Sequence, residues 1–363
     1  MFNNKYWKKN IILLVVISLS IYALILRLDK LSRCELWNDE LNQLEVMKGD
    51  FLHLVKELPS NERNSYLNLD HFVIYPFFKI FSYNKWGLAI PHIIITILGF
   101  YLLYLICKRY FKTIWGYLVT FSVICFNATL IKHATEIRGY AVLPTIALAS
   151  LYLSEVFINE VNLSPLKKFL IGTFFLLATC FHTYGIFIIF FCFAYVLLNK
   201  PANRNFSSIF KGIPKILIIA FFAVLPFWLF CVFGPVHVQF TADDTFQFIP
   251  NPCNNILGFL KGVFGNLVGF KKLYFLLIVL IFPFVFPYKE RFKQISFLFI
   301  MIFSPLVLIL ICDLIGKYWF LQRQFIWVMP YFAFFLGWSS DSFINYIYEL
   351  KSYLNDTSTH RMC

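Results

Sequence analysis

Long apolar runs separated by short charged segments make up this chain, and the runs show no two-residue alternation of polar and apolar positions. A membrane-spanning helix needs about 20 mostly apolar residues, whereas a barrel strand alternates over about ten. The pattern therefore predicts an all-α, polytopic transmembrane protein of about ten spans. They are expected near residues 11–28, 88–107, 113–131, 139–157, 168–182, 184–198, 213–233, 272–287, 294–312 and 324–344.

The segment 29–87 between the first two spans carries a pattern of its own. Leu41, Leu44, Val46, Leu52, Leu54 and Val55 have the spacing of one or two amphipathic helices lying on a bilayer surface. Residues 70–82, D-H-F-V-I-Y-P-F-F-K-I-F-S, are apolar but too short to span, which predicts a re-entrant or interfacial piece. The chain divides into a transmembrane domain over 1–346, with 29–87 as its external loop, and a short cytoplasmic tail over 347–363.

Composition sharpens this picture. Of 363 residues, 60% are hydrophobic and only 14% charged, with a mean hydropathy of +0.70. A soluble domain carries about a quarter charged residues, so a soluble fold is excluded. The net charge of +13 does not imply nucleic acid, because the Lys and Arg residues cluster in short loops. Lys5, Lys8 and Lys9, then Lys108, Arg109 and Lys112, then Lys167 and Lys168, then Lys200, Arg204, Lys211 and Lys215, then Lys289, Arg291 and Lys293 fall on one face when the spans alternate. By the positive-inside bias that face is cytoplasmic, both termini share it, and 29–87 is external. The N-terminal run is followed by Arg27, Leu28, Asp29 and Lys30 with no small-residue cleavage site, which reads as an uncleaved signal anchor. None of the nine cysteines has metal spacing. A bridge between Cys34 and Cys253 is an option, since both are expected on the external face.

The external face also collects the polar residues hardest to assign to plain loops. Asp39 and Glu40, in L-W-N-D-E-L, form an acidic pair just past the first span, two residues after an interfacial Trp37. Such a pair can accept a proton from a substrate hydroxyl or hold part of a metal shell. It can equally cap a helix, since Asn38 and Asp39 are good N-cap residues. In H-A-T-E-I-R-G-Y, Arg138 can pair with Glu136 or grip a phosphate through its planar fork, with Tyr140 two residues on. His182 and Tyr184 occupy a turn between two short spans, where a histidine is a structural group or a substrate contact. Lys317, Tyr318, Gln322 and Arg323 precede the last span, cations on the wrong side for the positive-inside bias and suited to an anionic head group. Asp243 and Asp244 read as a solvated turn.

Taken in order, five segments resemble the GT-C membrane glycosyltransferases, in particular the protein O-mannosyltransferase, aminoarabinose transferase and RgtA-B-like branch. They are L-W-N-D-E-L, D-H-F-V-I-Y in place of the family's H-P-P-L-x-Y, A-T-E-I-R-G-Y-A-V-L, F-H-T-Y-G-I-F and R-Q-F-I-W-V-M-P-Y. The resemblance implies that Asp39 is the catalytic base and Glu40 its acidic partner or a metal contact. His71, Arg138, Tyr140, His182 and Arg323 would then lie near the donor phosphate. Phe72 and Val73 stand where the family has two prolines, and Gln324 where it has a tyrosine after Arg323.

The function expected on these grounds is inverting transfer of a sugar from a polyprenyl-phosphate donor to a hydroxyl on a glycan, lipid or protein. The donor and substrate contacts are His71, Arg138, Tyr140, His182, Tyr184, Lys317 and Arg323. The place is the outer face of a bacterial inner membrane, and a divalent metal (Mg or Mn) at Asp39 and Glu40 is left open. Two alternatives are an O-antigen ligase or polymerase, whose large external loop usually comes late in the chain, and a transporter or lipid flippase, whose charges sit in mid-span.

Overall fold

The structure, a computed structural model, describes residues 4–54, 69–160, 162–182, 184–200, 255–268, 291–316 and 322–359. Among them every regular element is helical and no strand occurs, as the hydrophobic pattern predicts for an all-α membrane protein. The first helix, α1 (Asn4–Arg33), runs five residues beyond the expected limit of the first span. Its last carbonyls are held by Lys85, whose Nζ donates to Ser32 O at 3.0 Å and to Cys34 O at 2.5 Å. A cation at a helix C-terminus is favourable for the aligned peptide dipoles. Lys85 also opens α4 (Lys85–Tyr110), so one side chain sets two long helices side by side.

Between them, the segment expected to carry amphipathic helices is helical where it is described. Helix α2 (Asn38–Val46) and helix α3 (Leu69–Phe81) pack through a small core of Leu44, Met47, Leu54, Ile74, Phe78 and Leu88, closed by Ile137. The piece expected to be re-entrant or interfacial is thus a helix laid against α4. Lys79 reaches the turn after α2, donating to Gly49 O at 2.6 Å.

The expected third span is broken. Helix α5 (Ile114–Phe126) ends at Asn127, whose side chain accepts from Leu130 N at 2.9 Å and so caps a separate short helix, α6 (Ala128–His133). The fourth starts late, because Gly139–Ala141 form a 3-10 turn before α7 (Leu143–Asn159), which takes Pro144 into its first turn. Helix α8 (Pro165–Phe181), capped by Ser164, and α9 (Tyr184–Leu198) agree with the two short spans expected there. They meet at a tight corner: a Cβ on Gly185 would lie 2.3 Å from the Ala178 carbonyl oxygen, so only glycine fits.

Further on lie α10 (Ile256–Val268), α11 (Arg291–Phe297) and α12 (Ser304–Gly316). A π-turn over Leu298–Phe303 joins the last two. Pro305 cannot donate a backbone hydrogen bond, and the Ser304 hydroxyl donates to Phe299 O at 2.8 Å in the widened turn. A 3-10 segment, Gln322–Val328, leads into α13 (Met329–Thr359), which continues through most of the stretch expected as a tail.

The core is the packing of α13 on α5, α7 on α9 and α4, and α1 on α5. At the first of these contacts a Cβ on Gly337 would fall 1.9 Å from Thr120 Oγ1 and 2.5 Å from Gly116 O, the close backbone approach that small residues allow in membranes. Asp341 secures the same contact by accepting from the N–H groups of Lys112 at 2.8 Å and Thr113 at 2.7 Å. Among the described residues, three helical stretches, Lys9–Arg33, Lys85–Tyr110 and Arg291–Ile311, are long and apolar enough to cross a membrane, and three shorter helices are also apolar. The expected spans 213–233 and 272–287 lie outside the described residues.

Candidate functional site

Helix α2 begins at the acidic pair. Trp37, in extended conformation, is its N-cap, and the Glu40 carboxylate reaches back to accept the Trp37 N–H through Oε2 at 3.1 Å. This is one half of a capping box. The other oxygen, Oε1, accepts the Ile137 N–H at 2.8 Å from the loop after α6. Glu40 is buried, and desolvation raises its pKa above the ordinary carboxylate value against the pull of these two N–H donors and of Arg138. The part Glu40 plays is structural, since it pins the start of α2 to the Ile137–Arg138 backbone.

Of Asp39 the structure fixes the backbone, in the first turn of α2. Its register is informative, because Gln43 lies one turn further on the same face. Gln43 Nε2 donates to Asp70 Oδ2 at 3.0 Å, and Asp70 Oδ1 is 2.8 Å from His92 Nε2. Asp70 and His92 are fully buried. Burial works to raise the Asp70 pKa, but the His92 imidazole and the Gln43 amide outweigh it and leave the carboxyl below its ordinary range. This Gln43–Asp70–His92 group ties α2, α3 and α4 together and was not singled out from the sequence. One signal for it was present: His92 is an ionisable residue inside an apolar run, and such residues generally have a partner or a function.

The Arg138 guanidinium lies between two rings, 5.9 Å from the centre of Trp37 and 5.6 Å from that of Tyr140, both within cation–π range. Glu136, one of the two partners considered for Arg138, lies with Oε2 2.7 Å from His133 Nδ1. The Tyr140 ring lies 5.0 Å from the His182 ring, which stacks on Tyr184 at 5.1 Å and 19°. The Tyr184 N–H donates to His182 Nδ1 at 3.2 Å, which orients the imidazole. A continuous run of contacts thus joins Trp37 and Glu40 to Arg138, Tyr140, His182 and Tyr184.

His71 is buried in α3, next to Asp70. The backbone of Arg323 lies in the 3-10 segment before α13. Lys317 and the pair Asp243 and Asp244 lie outside the described residues, as does Cys253; Cys34 is a free thiol. No group of three His, Cys, Asp or Glu side chains suited to a metal occurs among the described residues. Each Glu40 oxygen already faces a backbone N–H, a poor fit to the metal contact considered for the acidic pair.

Residues 69–230 match the family model for dolichyl-phosphate-mannose-protein mannosyltransferase, part of the GT-C superfamily of membrane glycosyltransferases. The resemblance to the GT-C glycosyltransferases is borne out over this stretch, which holds three of the five short motifs. The matched stretch takes in His71, Arg138, Tyr140, His182 and Tyr184, while Asp39, Glu40, Lys317 and Arg323 lie outside it. No curated protein and no solved structure matches the chain.

Proposed function

We propose that this chain, a membrane glycosyltransferase of the GT-C type, moves a sugar from a polyprenyl-phosphate donor to a hydroxyl group at the outer face of a bacterial inner membrane. Asp39 is the base. It takes the proton of the acceptor hydroxyl as that oxygen bonds to the anomeric carbon, the bond from that carbon to the phosphate oxygen breaks, and the configuration inverts. The lipid phosphate departs as an anion, with Arg138 and Arg323 the cations that stabilise the developing charge, assisted by Lys317. Tyr140, His182, Tyr184 and His71 line the donor side.

The observation that carries this reading is the run of contacts from Trp37 and Glu40 through Arg138 and Tyr140 to His182. Segments about a hundred and fifty residues apart meet there, and they bring the α2 turn that holds Asp39 beside a guanidinium suited to phosphate. Glu40 acts in this scheme as a positioning residue.

The test uses the purified full chain with a polyprenyl-phosphate sugar and an acceptor extract. Asp39→Asn abolishes transfer while leaving expression and monodispersity unchanged; transfer at the wild-type rate removes Asp39 from the role of base. Comparison of the surface glycans of a deletion strain with its parent then identifies the sugar and the acceptor together.

A further inference from the structure

Arg27 closes the first apolar run, and the sequence pattern reads it as the polar flank of that span. The helix does not end there. Arg27 lies inside α1, about 9 Å along the axis before Arg33, and is only 3% exposed. A guanidinium keeps its charge and has five N–H donors. Two are used here: Nη1 donates to Ala23 O at 2.8 Å and Nη2 to Ile124 O at 3.2 Å. The Phe100 ring centre is 5.4 Å from the guanidinium carbon, and the buried Nε has no hydrogen-bond partner among the described residues. No carboxylate among those residues pairs with this charge, and the neighbouring Cys125 is a free thiol, neutral at pH 7. A lone cation inside a membrane bundle is expensive, so such groups generally meet a counter-charge.

Arg27 lines a cavity of about 40 Å³, partly open, between α1, α4, α5, α7 and the start of α13. A water molecule takes about 10–15 Å³ of such space, so a monatomic ion fits with a water beside it. The lining side chains are apolar except for Arg27, Thr96 and Thr145, and no carboxylate is among them. Both hydroxyls give their hydrogens to backbone carbonyls of α4, Thr96 to His92 O at 2.8 Å and Thr145 to Ile95 O at 3.0 Å. The guanidinium is therefore the donor that a guest meets. A sulfate or phosphate there would set most of its oxygens against hydrocarbon with no donor to satisfy them. A small, singly charged, spherical anion matches the one cation and needs no further directed donors.

We propose that this cavity is a halide site, with chloride as its occupant and Arg27 as the residue that holds it. Arg27 ties α1 to α5 through the Ile124 carbonyl and offers its remaining N–H donors to the ion, and Phe100 covers the face of the guanidinium. The ion neutralises the buried charge, so that the junction of α1 with α5 is most stable when halide is bound. The inference is independent of the proposed reaction and of its donor, and it concerns a cation that belongs to none of the sequence motifs.

The experiment follows thermal unfolding of the purified full chain in detergent as sodium chloride or sodium bromide replaces sodium gluconate at constant ionic strength. Sodium sulfate and sodium phosphate are run in parallel. Both halides are expected to raise the melting temperature saturably, by about 2 °C or more, and the two oxyanions to leave it at the gluconate value. Arg27→Met is expected to lose the halide response altogether, as is Ala134→Leu, which fills the cavity with Arg27 intact. A halide response that persists in a monodisperse Arg27→Met protein overturns the proposal, as does a wild-type response that is absent, or that is equal for sulfate, phosphate and the halides. Should both variants fail to fold, crystals of the wild-type chain grown in sodium bromide decide by anomalous scattering. A bromide peak within about 3.5 Å of the Arg27 guanidinium nitrogens supports the site, and ordered water there without an anomalous signal overturns it.

Discussion

The Glu40 carboxylate accepts the backbone N–H of Ile137 at 2.8 Å across 97 residues of sequence. This one bond fixes the first turn of α2 on the loop that carries Arg138, and its partner bond from Trp37 N–H shapes the turn itself. Glu40→Gln exchanges one acceptor oxygen for an amide NH2 and sets a donor against a donor, at a cost of about 1–3 kcal/mol. The expected outcome is a lower melting temperature and a transfer rate reduced about tenfold or more, with Glu40→Ala worse on both. Thermal unfolding and turnover measured on the same preparations check this, and a fully active, equally stable Glu40→Gln would show that the tether is dispensable.

The Asp70 carboxyl gives a pH signature. His92 and Gln43 hold its folded pKa below the ordinary carboxylate value despite burial. A depressed carboxylate contributes stability that is fully present above its unfolded pKa, about 3.9, and is lost as pH falls through the folded value. Melting temperature should therefore drop as pH is lowered from about 5 toward 3, and part of that drop should be missing in Asp70→Asn. Scanning fluorimetry of both proteins across that window makes the comparison; parallel curves would mean that the Gln43–Asp70–His92 group is not what titrates.

Tyr140 acts through its ring, placed between Arg138 and His182. Tyr140→Phe keeps both contacts and is expected to retain activity within about threefold, whereas Tyr140→Ala removes ring contacts worth about 0.5–1.5 kcal/mol each. The Ala variant should raise the donor KM up to about tenfold. If the two variants are equally impaired, the hydroxyl rather than the ring carries the role.

Gly337 tests the α5 and α13 contact. A methyl group there collides with Thr120 Oγ1 and the Gly116 carbonyl, so Gly337→Ala should cost about 1–3 kcal/mol. Gly337→Leu should fail to yield monodisperse protein. Thr120→Ala, which clears the nearest atom, should partly restore the Ala variant.

Much of this architecture was legible in the order of polar and apolar residues. The all-α class, the helices after the first span, and the short α8 and α9 with their His182 turn follow from run length and periodicity alone. Helix limits were not legible where a local side chain overrides the apolar run: Asn127 starts a new helix inside one, and the Gly139–Ala141 turn delays another. The candidate site was read as a set of motifs on one face, and their mutual contact depends on pairings such as Glu40 with Ile137 that no local pattern encodes. Arg27 was misread for a related reason. Hydropathy treats a cation near the end of an apolar run as its boundary, while the bundle supplies Ala23 and Ile124 carbonyls that let the helix carry it inside.

Helix α13 is 31 residues long without interruption, a rod of about 46 Å beside a hydrocarbon layer of about 30 Å. Its inner part is clamped at Gly337 and Asp341, and its outer part exposes Tyr348, Leu350 and Tyr353. That makes the outer turns a lever arm: a spin label at Tyr353 would report the tilt of the whole bundle, and a helical fusion continued from this rod would give electron microscopy a rigid fiducial for a small membrane protein.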